Sequence, residues 1–199
     1  MQEINREQNT EETRDSKDSK EELREETVFH RRSAGSWLMI AVSVAILVAL
    51  DQFTKYLAVT KLSGEDLRIL IDGVLDFVYL ENHGAAFSML QNQQWFFYIL
   101  TTVFFILAVV VLYRLPQNAK YRPMTISVVV LLSGAAGNFI DRVVNRYVID
   151  FIYVELINFP VFNVADIYVT VGVTILIVLM IFKYKDEDMK VLFRSRKSG

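Results

Sequence analysis

Between Gly134 and Thr170 the chain carries Asn138, Asp141, Arg142, Asp150, Asn163 and Asp166, with apolar runs of helix length approaching from both sides. Ionisable groups at membrane depth are costly to place there and by default mark function. Asp150 lies in an apolar setting of Val148, Ile149, Phe151 and Ile152, and Asp166 opens the next apolar run. Two carboxylates held together near hydrocarbon do not both ionise readily. One pKa rises and the pair shares a proton, so one acid acts as base while the other acts as acid. Such a dyad can activate water against an amide carbonyl and then protonate the leaving nitrogen. Its apparent pKa values belong to the pair. Asn138 and Asn163 each donate and accept, which suits orienting a carboxylate or an extended peptide. Arg142 offers charge-assisted bonds to a carboxylate, a substrate backbone or a lipid head group, and it cannot face its neighbour Asp141 on a helix. Each residue also has a purely structural reading: Asp166 in the first turn of a helix, Asn163 as its N-cap, Asp150 as a loop acid.

The elements that must hold these groups are membrane spans. The chain has 199 residues, 53% of them hydrophobic, and the apolar residues fall in runs. A bilayer needs about 20 apolar residues per helix. Four runs qualify, at about 37–57, 95–113, 124–144 and 164–184. The expected fold is an all-α polytopic membrane protein of four transmembrane helices, with a small extracytoplasmic β-lobe in 58–94 and a second outer loop at 145–163. The alternating run after Leu67 and the Asp72-Gly73 pair predict short strands and a hairpin in the lobe. Small residues from Ser133 to Gly137 suit close helix packing. Asp51 and Lys55 are four apart and can pair, either as an interfacial ion pair ending the first span or as part of the site.

Residues 1–32 are charged and nearly devoid of large apolar residues, so they read as a solvated, disordered tail. Residues 33–186 form the membrane domain, and 187–199 form a basic tail. Arg31 and Arg32 precede the first span without a cleavage pattern after it, so that span is expected to stay attached. Basic residues gather at the N-terminal side, the 114–122 loop and the C-terminus. By the positive-inside rule both termini are cytoplasmic and both polar loops lie outside. That arrangement sends Asp51, Asn82, Asn138, Asp141, Arg142, Asp150, Asn163 and Asp166 to one membrane face.

Composition excludes several classes. With no cysteine there is no thiol nucleophile, disulfide or thiolate metal site, and two histidines make a zinc site improbable. No metal or cofactor is expected. A net charge of −2 gives no sign of a nucleic-acid partner. His83 reads as a surface histidine. A proton-coupled transporter using the same acids would need a polar path to both faces, yet the cytoplasmic halves of the spans are almost purely apolar. A non-catalytic assembly factor would use the acids as structural pairs.

Five stretches, in order and in register from about Trp37 to Lys185, resemble the lipoprotein (type II) signal peptidases: Asp51-Gln-Phe-Thr-Lys55, Asn82-His-Gly84-Ala-Ala-Phe-Ser88, Gly137-Asn-Phe-Ile-Asp-Arg142, Val148-Ile-Asp-Phe-Ile152 and Phe162-Asn-Val-Ala-Asp166. The resemblance implies an aspartic peptidase of the bacterial cytoplasmic membrane. It would act on diacylglyceryl prolipoproteins in the lipid phase, cut on the N-terminal side of the lipidated cysteine, and be a target of globomycin. Asp150 and Asp166 take the catalytic positions. Asn82, Asn138, Arg142 and Asn163 take substrate-contacting or dyad-supporting ones, with Gly84 in the covering loop. Asp51, Lys55 and Asp141 match polar positions of the site's architecture. Arg146 stands where such proteins commonly have glycine, and Ile167 where serine is common.

Overall fold

The computed structural model describes residues 32–64, 68–84, 93–189 and 192. The tail at 1–31, most of the stretch after Gly84 and nearly all of the C-terminal tail lie outside the described residues.

Four helices are long and apolar enough to cross a membrane: α1 (Ala34–Leu62), α2 (Gln94–Arg114), α3 (Arg122–Val144) and α4 (Val164–Phe182). α1 carries Asp51 and Lys55 as expected and runs past the expected end at 57 to Leu62, where Ala58 and Leu62 pack against the lobe. The outward faces of α1, α2 and α4 present large apolar side chains such as Leu38, Ile46, Ile106, Ile177 and Phe182. Such faces match hydrocarbon, where every backbone N–H is satisfied within the helix. α3 is the central element. Nine of its residues are buried, and it packs against each of the other three helices. Two glycines set how closely it does so. A Cβ on Gly134 would lie 2.4 Å from the Ala165 carbonyl oxygen, and one on Gly137 would lie 2.3 Å from Asp51 Oδ2. Gly134 thus lets α4 approach through backbone contact, and Gly137 leaves room for a buried carboxylate from α1.

The lobe is a three-stranded antiparallel sheet, β1 (Arg68–Ile71), β2 (Leu75–Asn82) and β3 (Val148–Tyr153), in that order. The first two strands form the expected hairpin, with Gly73 at φ +67 in its turn. The third comes from the segment expected to be a plain loop: 145–163 joins the lobe, pairing Asn82 with Val148 and Leu80 with Asp150. Ile149 and Phe151 pack with Ala58 and Leu62 at the end of α1. Asp150 lies between them on the opposite side of the pleat. The turn into β3 is made by Arg146 at φ 69. This left-handed conformation favours glycine, which explains why glycine suits that position, and arginine holds it at a cost of about 1–2 kcal/mol.

At the other end of the bundle, Tyr121 and Tyr184 stack at 5.5 Å, and Lys120 pairs with Asp188 of the short helix α5 (Asp186–Met189).

Candidate active site

The C-terminal ends of α1 and α3, the N-terminus of α4 and strands β2 and β3 converge at one end of the bundle. Asn163 begins the site because it begins a helix. It is the N-cap of α4 in a reciprocal capping box: its Oδ1 accepts from Asp166 N (3.0 Å), and its own N–H donates to Asp166 Oδ2 (3.1 Å). The structural readings of Asn163 and Asp166 therefore hold, and they hold together with a role at the site. The same Asn163 side chain donates through Nδ2 to Asp150 Oδ1 at 2.6 Å and to Asn138 Oδ1 at 3.1 Å. Asn163 thus touches both carboxylates, Asp150 through its side-chain NH2 and Asp166 through its backbone N–H.

Asp150 also accepts from Asn82 Nδ2 at 2.8 Å, and Asp166 Oδ1 accepts from Asn138 Nδ2 at 2.8 Å. Each carboxylate is held by neutral amides. Among the described residues neither forms an ion pair. Asp150 is buried, whereas Asp166 is partly open. Burial first, then the adjacent Asp166 charge, pushes the Asp150 carboxyl up to about 7, against the lowering effect of the bonds from Asn82 and Asn163.

Behind the pair lies a second cluster. Lys55, Asp51 and Asp141 are at most 1% exposed. The Lys55 ammonium reaches Asp51 Oδ2 at 2.9 Å, Asp141 Oδ2 at 2.8 Å and Asn138 Oδ1 at 2.9 Å, which uses all three of its protons. This corrects the interfacial reading of Asp51 and Lys55, since both are enclosed. Asp51 Oδ1 accepts from Ala165 N at 2.9 Å, and Asp141 Oδ2 accepts from Ile149 N at 3.2 Å. The acids thereby fasten α1 to the start of α4, and α3 to β3. Because an ammonium only donates, Lys55 draws the Asn138 oxygen toward itself and turns the Asn138 NH2 to Asp166.

Arg142 stands apart from its neighbour Asp141, as adjacency on a helix requires. Its guanidinium lies 4.3 Å over the Phe97 ring, and Nη2 donates to the Gly84 carbonyl at 3.3 Å. Gly84 N in turn donates to Asn82 Oδ1 at 3.0 Å. Arg142 thus ties the loop after β2 to α3. His83 is exposed and lies outside the network, 3.9 Å from Glu81. All ten sequence-predicted positions therefore meet in one continuous assembly. Ile167, the other departure from the usual pattern, is exposed and takes no part in it.

Three contributors escaped the sequence reading. Gln52 Nε2 donates to Asp141 Oδ1 at 2.9 Å, to Asp51 Oδ2 and to the Gly137 carbonyl, both at 3.2 Å. Its place between Asp51 and Lys55 was the available signal. Tyr98 donates to the Arg142 carbonyl at 2.8 Å, and Phe97 carries the Arg142 guanidinium. In the sequence both look like ordinary interfacial aromatics. Among the described residues no three of His, Asp and Glu converge to hold a metal ion.

Residues 43–182 match the family model of signal peptidase II. The chain belongs to the signal peptidase II family. Curated lipoprotein signal peptidases from Streptococcus pyogenes are similar to it: that of serotype M5 strain Manfredo is 39% identical over 150 residues, covering 75% of this chain and 95% of that protein. That of serotype M3 strain MGAS315 is 38% identical over the same length. Two solved structures of a bacterial membrane enzyme, determined in meso, superpose with TM-scores of 0.67 and 0.65 at 31% identity, covering 79% and 77% of this chain and 97% of each. The match spans all four helices and the sheet, so this signal peptidase II family member is a multi-pass membrane peptidase.

Proposed function

We propose that this chain is an aspartic endopeptidase that removes signal peptides from diacylglyceryl prolipoproteins, cutting on the N-terminal side of the lipidated cysteine. The observation that carries the reading is Asn163, whose side-chain NH2 bonds Asp150 and whose backbone N–H bonds Asp166, joining the acids in one hydrogen-bonded unit in which, among the described residues, neither forms an ion pair.

The deeply buried Asp150 keeps the shared proton, and the more open Asp166 is the general base. Asp166 takes a proton from the attacking water as its oxygen bonds to the scissile carbonyl carbon, while Asp150 delivers its proton to the carbonyl oxygen. On collapse, Asp166 returns its proton to the leaving nitrogen, and Asp150 recovers one from the diol hydroxyl. Asn138 and Asn163 hold the acids in register. Arg142, Asn82 and Gly84 face the position of the substrate backbone. Helix faces exposed to lipid would admit the signal-peptide helix and acyl chains from the bilayer. Both termini lie on the cytoplasmic side and the dyad opens on the outer one. Globomycin-type cyclic peptides would occupy the same place.

The test is a gel-shift assay with the purified protein and a diacylated prolipoprotein. Release of the signal peptide is expected, blocked by globomycin and absent with the unlipidated precursor. Equal cleavage of lipidated and unlipidated precursors would overturn the substrate assignment, and substantial turnover by Asp150→Asn or Asp166→Asn would overturn the dyad.

A further inference from the structure

At the end of the bundle far from Asp150 and Asp166, α1 and α3 leave between them a cavity of about 460 Å³, closed on one side by the loop that precedes α3. Two arginines border it. Arg32, just ahead of α1, donates from Nε to the Leu112 carbonyl at 2.7 Å and from Nη2 to Thr125 Oγ1 at 2.6 Å. Arg122 is the first residue of α3, three positions before Thr125 and therefore on the same helix face. Both arginines thus border one cavity beside the first turn of α3. Among the described residues neither forms an ion pair with a carboxylate. Arg32 is half-buried, so part of its hydration is lost.

The helix starts add to the positive potential, set against the acids of α5 (Asp186, Glu187 and Asp188) at this end, of which Asp188 is paired with Lys120. α1 and α3 both begin at this end, and neither has an acidic residue in its first turn. Farther along the spans the cavity walls become apolar, with Met39, Ile40, Ile126 and Val130. Met39 and Ile126 are 64% and 53% exposed, open to the bilayer side. A ligand that complements this cavity has an anionic head at the interface and a hydrocarbon tail. We propose that the groove binds an anionic phospholipid, with its phosphate between Arg32 and Arg122 and one acyl chain along Met39, Ile40, Ile126 and Val130. The lipid would belong to the leaflet opposite the dyad.

The experiment uses the full chain purified in a zwitterionic detergent, titrated with phosphatidylglycerol, with phosphatidylcholine of the same acyl chains, and with inorganic phosphate. Phosphatidylglycerol is expected to bind saturably and raise the melting temperature, with neither control doing so at the same concentration. Arg122→Gln removes no internal hydrogen bond and should weaken phosphatidylglycerol binding about fivefold, the effect of one basic residue at a lipid head group. Arg32→Lys, which keeps the charge, should weaken it less than Arg32→Gln. Equal binding of phosphatidylcholine, a full effect from inorganic phosphate alone, or unchanged binding by Arg122→Gln would overturn the proposal. So would phosphatidylglycerol binding that emerges only after residues 1–31 are deleted, because the groove would then be held by the chain's own acidic segment. None of these outcomes bears on the dyad, which lies at the far end of the bundle.

Discussion

Two groups of buried acids sit side by side in this molecule and are treated oppositely. Asp51 and Asp141 share an ammonium, Lys55, and accept further bonds from backbone N–H groups and Gln52. Asp150 and Asp166 receive amide N–H groups and no cation. A carboxylate bonded to a buried ammonium is held in a fixed ion pair. A carboxylate among neutral amides keeps a proton within reach. The first arrangement fastens elements together, and the second leaves a group able to give and take a proton. Asn138 joins them, since its oxygen is held by Lys55 and its NH2 by Asp166. The ionic cluster thus orients the reactive one without charging it.

The contrast breaks most visibly when the dyad loses an acid. Asp150→Asn and Asp166→Asn should each lower signal-peptide release by about a thousandfold or more while the melting temperature in detergent stays near that of the parent, within the range for loss of a general acid or base. Next in size is Lys55→Met, which strands two buried carboxylates and should destabilise the fold by about 3–5 kcal/mol, read by thermal or denaturant unfolding. Adding Asp141→Asn to Lys55→Met should restore part of that loss, because one uncompensated charge is removed. No recovery would mean that Lys55 acts through packing and not charge. Gly137→Ala places a methyl group against Asp51 and should cost about 1–3 kcal/mol by the same measurement.

The smallest expected effect is on the pH profile. With Asp150 raised to about 7 in the folded protein, the competent singly protonated pair is lost as pH rises through about 7, so kcat/KM should fall there. Folding stability should decline as pH rises from about 4 to about 7. The unfolded carboxyl ionises from its ordinary value near 4 while the folded one resists until about 7, and Asp150→Asn should lack that decline. The Asn82 bond favours the ionised form, so Asn82→Ala should move the alkaline limb upward. A downward move would show that Asn82 does not act on Asp150.

The spans and the two acids proposed as the dyad were legible in the sequence because both are written locally. Long apolar runs announce helices, and a carboxylate beside such a run is conspicuous. What could not be read were relationships between distant residues. Val148–Tyr153 has the β-branched and aromatic composition of a strand, but its partner β2 lies more than sixty residues earlier, so the segment read as a loop. The Asp51–Lys55 pair stayed open between an interfacial ion pair and part of the site because spacing shows that two side chains can meet and not how deeply they lie. Their enclosure depends on Asp141 and Gly137 of α3. Gln52 was hidden for a similar reason: an amide next to an acid has no meaning until its three acceptors are brought together.

The four-residue spacing of Asp51 and Lys55 also bears on how the chain is made. These two side chains can neutralise one another within α1 alone, so the first helix can leave the translocation machinery and enter lipid as a nearly uncharged segment. Asp141 is synthesised much later, on a helix with no lysine of its own near that end. Its partner Lys55 is already present on the first helix, so closing the cluster joins α3 to α1.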